Sequence, residues 1–455
     1  MNHHIVEKPA ISGPWPRRLM VAFAMTAAAI GTALFLAAPP GAGPGAHSPY
    51  RYRFNRPPQG AITRLLQSEI AFYQRRIARM PQSGLDRAGL AGAYLKMARV
   101  TGDLRWYLLA EDTARESLAD LPVNNTAATM VLARAAEARH DFGVAIRLAR
   151  AAGPGEETLP VVVTSTLAQG DVPAAARAAA ELLATAPSLQ GYALRALVEV
   201  ARGRDAEAEA DFGRALAMEE PDEVASSTWV RSLYGRFLYQ HGRLQAAREL
   251  FNEALRILPQ YPLALVDLSV LDLRQGRYAA AIDHLTRVVT VSSASPNVYD
   301  HVVLRGLAQA SGYEGRHDEA VRFWAAAEAR LRQDAASGAY GHRRELARLL
   351  LTRGRPEDLP GVLSLLRAEL TVRTDPDTYD TLAWALSRAG RWQEADRAVR
   401  QALRWGVRDP RYFYRAATIA RALGHAERAD AYLRLMRAVD PGFNERALEV
   451  AGIGL

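Results

Sequence analysis

The chain has no cysteine in 455 residues. That excludes disulfides, thiolate metal sites, a cysteine nucleophile and a lipid-modified cysteine. Lysine is nearly as scarce: Lys8 and Lys96 are the only two among 57 basic residues, and arginine supplies the rest. Acidic groups would therefore meet forked guanidinium donors rather than compact ammonium charges. HExxH, a Walker loop, a Gly-x-Ser-x-Gly elbow and a Ser-x-x-Lys pair are all missing. The ten histidines show no metal-ligand spacing; His140, His241, His317 and His425 fall at or beside expected turns. No stretch alternates polar and apolar residues as a strand does. The sequence thus nominates no catalytic residue, no metal ligand and no cofactor site, and it reads as a non-enzyme.

Hydrophobic residues make up 49% of the chain and charged residues 23%, the balance of an ordered protein. The formal charge is +8 and the isoelectric point near 9.7. The positive residues are interleaved with Asp and Glu rather than gathered in one patch. That favours solvated helix surfaces over a nucleic-acid interface.

Residues 19–38 form an uncharged apolar run, long enough to span a bilayer as a helix. Arg17 and Arg18 precede it, which predicts a cytoplasmic tail over 1–18, a single-pass anchor over 19–38 and an extracytoplasmic remainder. A cleaved signal peptide is the rival, but its apolar core would be shorter. Residues 39–60 are rich in Pro and Gly and are expected to be a flexible linker. The glycines in 41–46 approach the spacing of a phosphate loop, but no strand precedes them and no helix opens after them.

From residue 61 the pattern becomes periodic. The run 61–80 reads as one amphipathic helix. The clearest unit lies at 228–261: large residues at Tyr234, Leu238 and Phe251, small ones at Gly235, Ala247 and Ala254, a turn at Gly242 and a stop at Pro259. Two short antiparallel helices can approach this closely only where Gly or Ala faces a large neighbour. Similar units occupy 88–122, 126–152, 156–187, 189–221, 262–295, 301–332, 340–375, 376–409 and 410–441, with an insertion at 296–300. A period of about 34 residues with this alternation marks a helix–turn–helix repeat.

This pattern resembles the tetratricopeptide repeat family. The resemblance implies an all-α, right-handed solenoid of about ten helix pairs over 61–455, following the single membrane helix. It also implies that the first helix of each pair lines a concave groove for peptides or partner helices. Carried over by position, the groove would contain Trp229, Arg236, Tyr239, Arg305, Tyr313, Arg344, Arg348, Trp384, Arg388, Tyr414 and Arg421. Arginine and aromatic residues dominate interface energetics, and an arginine wall would suit acidic segments. The carboxylate clamp of chaperone-binding relatives is not matched. The expected role is a scaffold at the cytoplasmic (inner) membrane, its array on the periplasmic side, serving a cell-envelope complex through a protein or peptide partner. The alternative is a cytoplasmic-facing helical-repeat regulator that binds nucleic acid or acidic partners.

Overall fold

A computed structural model describes residues 48–291, 296–337 and 342–451; the expected anchor at 19–38 lies outside them. Two units are distinguished, with the boundary between Pro49 and Tyr50. Among the described residues the chain is entirely helical, apart from one isolated bridge between Asp103 and Asn297. Among the described residues no helix is long and apolar enough to cross a membrane.

A leading helix, α1 (Ala61–Arg79), is followed by ten helix pairs. The first three pairs are α2 (Gly84–Thr101) with α3 (Leu104–Asp120), α4 (Thr126–Ala138) with α5 (Phe142–Ala151), and α6 (Thr158–Ala168) with α7 (Val172–Thr185). Next come α8 (Leu189–Ala201) with α9 (Asp205–Ala217), α10 (Val224–Gln240) with α11 (Leu244–Ile257), and α12 (Pro262–Arg274) with α13 (Tyr278–Val291). The last four are α14 (Asp300–Tyr313) with α15 (His317–Ser337), α16 (Arg343–Arg353) with α17 (Leu359–Glu369), α18 (Pro376–Arg388) with α19 (Trp392–Ala402), and α20 (Pro410–Ala422) with α21 (Ala426–Val439). A short α22 (Glu445–Ala451) follows the last pair.

Local chemistry sets these boundaries. Ser83, Asn125, Asp171, Ser188 and Asp375 each cap a helix by accepting from a backbone N–H of its first turn. Within the fifth pair, Ala247 and Ala254 are fully buried. A Cβ added at Gly235 would lie 2.5 Å from the Phe251 ring, so the two helices meet where only glycine fits. Phe212 of the preceding pair stacks on Tyr234 at 5.0 Å between centroids, carrying the core from one pair into the next.

The array also touches itself at long range, in a fixed register. The turn inside the first pair meets the loop before the seventh: Val298 N donates to Gly102 O at 2.9 Å, and Asn297 Nδ2 donates to Thr101 O at 3.0 Å. His140 in the second turn packs on His342 before the eighth pair. In the third, Gly170 O accepts from Arg404 Nη2 at 3.0 Å and Trp405 Nε1 at 3.1 Å, and Thr374 N donates to Ala168 O. In the fourth, Asp205 pairs with Arg408 at 3.2 Å. At the fifth, Asp440 packs on Gly242 and pairs with Arg274 at 2.7 Å, both side chains buried. At the sixth, Arg446 of α22 lies over the Tyr278 ring. Each turn thus meets the stretch about six repeats farther on, so successive coils of the superhelix stack along a seam.

The stretch from Tyr50, read from sequence as part of a flexible linker, is not loose chain. Tyr52 is buried against Val224 and Ile257, its N–H donates to Glu253 Oε1 at 3.0 Å, and its hydroxyl donates to Pro221 O at 3.1 Å. Arg231 is fully buried beneath it, paired with Glu219 and donating from Nε to Tyr50 O at 2.9 Å. Proline-rich composition suggests flexibility, but three aromatics at alternate positions, Tyr50, Tyr52 and Phe54, supply enough apolar surface to fix the segment in place.

Candidate functional site

Closure along the seam turns the concave face inward and leaves two adjoining hollows that share Tyr107 and Ala138. The first, about 250 Å³, is lined by the leading helices of five successive pairs: Leu95 and Arg99, Arg134 and Glu137, Pro160 and Thr164, Leu194, and Trp229. It combines an indole and leucine wall with two arginines. Burial, with Arg99 beside it, lowers the Arg134 pKa, and burial raises that of Glu137, which accepts a hydrogen bond from the Thr164 hydroxyl. Charge here is costly, and the Arg99–Arg134 repulsion leaves the trough short of negative charge.

The second hollow, about 260 Å³, straddles the seam. One side comes from Tyr107, Ala138 and His140, the other from Tyr299, His301, Arg305, His342, Arg344, Glu345, Arg348 and Arg373. Burial, with His342 next to it at 4.4 Å between ring centroids, holds the His301 imidazole well below its usual pKa and therefore neutral. Burial and the Arg348 guanidinium push Arg305 down to about 10. Glu345 behaves oppositely: against its burial, Arg344 and Arg373 hold the carboxyl well below the usual range.

The groove residues expected from sequence fall into several places. Arg305, Arg344 and Arg348 meet in the seam hollow, and Trp229 lines the trough beside it. Arg236 is engaged with Asp267 of the next pair at 3.0 Å. Tyr239 lies under Arg274 at 5.3 Å, with its hydroxyl pushed up to about 12 by burial. Tyr313 binds the tail through Glu449 and Arg446. Trp384 carries Arg415 over its ring at 5.1 Å, and Tyr414 neighbours Phe443. Arg388 and Arg421 are exposed; Arg388 donates to Gly354 O at 3.1 Å, and Arg421 pairs loosely with Asp430.

The arginines show a pattern that the sequence did not reveal. Arg344 reaches Asp375 at 3.0 Å and Arg348 reaches Asp377 at 2.9 Å, each from the first helix of the eighth pair to the start of the ninth. Arg415 repeats the theme with Asp380 at 2.6 Å, as Arg428 does with Asp396 at 3.0 Å. These cations hold neighbouring repeats together. The only sequence signal was an acid about one repeat away from each arginine. Tyr107, Tyr299, His301, Glu345 and Arg373 were not foreseen; Tyr107 meets the other four only because the seam sets the first coil against the second. Among the described residues, no group of three or more His, Asp or Glu could hold a metal ion.

Residues 163–227 and 238–299 each match a family model described as tetratricopeptide repeat. No curated protein matches the sequence. Among solved structures, a human IFIT1 dimer with PPP-AAAA is similar at 15% identity, over 78% of this chain and 72% of that one, with a TM-score of 0.40. The APC/C hetero-tetramer Cut9-Hcn1 is similar at 12% identity, over 86% and 94%, with a TM-score of 0.34. A Pseudomonas aeruginosa pilF structure is similar at 13% identity, over 65% and 96%, with a TM-score of 0.27. At these values the likeness carries no functional argument.

Proposed function

The chain carries tetratricopeptide repeats, and from that premise we propose that it is a scaffold that binds a protein segment along its inner face, tethered by residues 19–38 with the array outside the cytoplasm. The observation that carries the binding reading is the trough in which four leading helices place Trp229, Leu95 and Leu194 beside Arg99 and Arg134. An apolar anchor next to two guanidinium groups suits a segment with a large hydrophobic side chain followed by an acidic one. Glu137, with its pKa raised by burial, attracts a basic residue less than an ionised carboxylate would, so the acid preference rests on the arginines.

In-cell crosslinking with mass spectrometry on the full chain, repeated with Trp229→Ala and Arg134→Ala, tests the trough. Loss of the same partner in both variants is the expected result; equal recovery sinks it. Apolarity of 19–38 and the Arg17–Arg18 pair support the tether and its orientation. A topology reporter fused after Leu455 checks this, and a cytoplasmic reading would remove the cell-envelope role.

A further inference from the structure

We propose that the hollow on the seam binds a small phosphate-type anion that ties the two coils of the superhelix together. Four arginines line it, Arg305, Arg344, Arg348 and Arg373, against one lining carboxylate, Glu345. Of the acids close by, Asp375 and Asp377 are already engaged, and Glu369 is pushed toward its neutral form by burial and Glu345, its pKa raised to about 7. Asp375 is held by Arg344 at 3.0 Å and Arg373 at 2.8 Å, and Asp377 by Arg348 at 2.9 Å and Arg411 at 3.3 Å. Glu345 Oε1 is taken by Arg344 at 2.9 Å.

One guanidinium group keeps capacity. Arg373 Nη1 is buried and makes no hydrogen bond, its ion pair with Glu345 stretched to 3.9 Å. Arg305, 2% exposed, has Arg348 for a neighbour, and the repulsion between them favours an anion placed between. Fork-shaped donors converging on a small hollow are the arrangement that phosphate oxygens match. At about 260 Å³ the space lies below the range of roughly 300–1,000 Å³ usual for drug-sized ligands, so the ligand is a compact ion rather than a polypeptide. Tyr107 and His140 wall it from the first coil and the arginines from the second, so an anion held there would bridge the seam.

The test is titration of the full-length protein with inorganic pyrophosphate, against sodium chloride at matched ionic strength. Thermal melting reads the binding, and amide hydrogen exchange locates it. The expected result is a saturable rise in melting temperature of a few degrees with pyrophosphate alone. Exchange should slow at both 138–142 and 298–305, and Arg305→Gln should weaken the apparent Kd about tenfold or more. If Arg305→Gln does not fold, Arg373→Gln is read the same way. No saturable shift, an unchanged Kd in the folded variant, or protection confined to one coil overturns the proposal. So does competition by a phosphoserine peptide, which would assign the phosphate to a protein partner.

Discussion

The turn glycines of the early pairs and those of the late pairs look identical in sequence but carry different loads. Gly170, Gly203 and Gly242 have φ of 68°, 68° and 70°, and Gly390 and Gly424 have 71° and 78°. All five need the left-handed conformation that ends a helix. A Cβ at Gly203, however, would lie 1.9 Å from the Gly406 carbonyl oxygen, and one at Gly170 would lie 2.4 Å from the Thr374 carbonyl. Around Gly390 and Gly424 no such atom lies within 4 Å. The early turns are packing surfaces on which a second coil rests; the late ones are only turns. In a solenoid of this length, the cost of a substitution depends on whether another coil lies beyond it, not on how well the repeat matches its consensus.

Four substitutions break or sharpen that contrast. Gly203→Ala combines left-handed strain with a backbone clash and should cost roughly 3 kcal/mol or more in chemical denaturation; a loss under about 1 kcal/mol would show the coils are not stacked there. Glu369 tests the seam through pH. It is fully buried, neither oxygen is hydrogen-bonded, and burial together with Glu345 raises its pKa to about 7. A folded-state pKa above the unfolded value means the native state holds the proton longer. Stability should therefore fall as pH rises from about 4.5 to about 7, by up to about 3 kcal/mol, and level off above that. Glu369→Gln should flatten this slope, and hydrogen exchange at 168–171, which faces Thr374, should lose its pH dependence beyond the intrinsic rate.

Trp405→Ala removes an indole N–H from Gly170 O and should cost about 2 kcal/mol, with faster exchange near Gly170 on the other coil as its specific mark. Gly390→Ala should be the mildest, about 1 kcal/mol from φ alone. If Gly390→Ala proved as costly as Gly203→Ala in denaturation, the proposed difference between the two sets of turns would be wrong.

Much of the array was legible because its signals are local. Five pairs begin at Ser, Asn or Asp caps, nine break at glycine, and the Gly235–Phe251 contact follows from sizes visible in the sequence. Even the weaker units obeyed: Val161, Val163, Ala175 and Ala179 of the third pair are fully or almost fully buried despite a lack of large side chains. The site was legible only in part. Position on a first helix put Arg305, Arg344 and Arg348 on the inner face, but it also nominated Tyr313 and Tyr414, which pack against the C-terminal segment. Position within a repeat says which way a residue faces along the solenoid. It does not say what the rest of the chain has placed opposite.

The sequence by itself determined the helix pairs, their boundaries and the small-against-large packing within and between neighbours, because these depend on residues about one repeat apart. Only the tertiary structure decided that the turns meet loops roughly 200 residues away, that Tyr52 is buried rather than loose, and that most inner arginines are matched to acids. The reason is cumulative geometry. A small rotation at each repeat leaves no mark on any single unit, yet its sum over about six repeats brings Gly102 to Asn297 and Gly203 to Gly406.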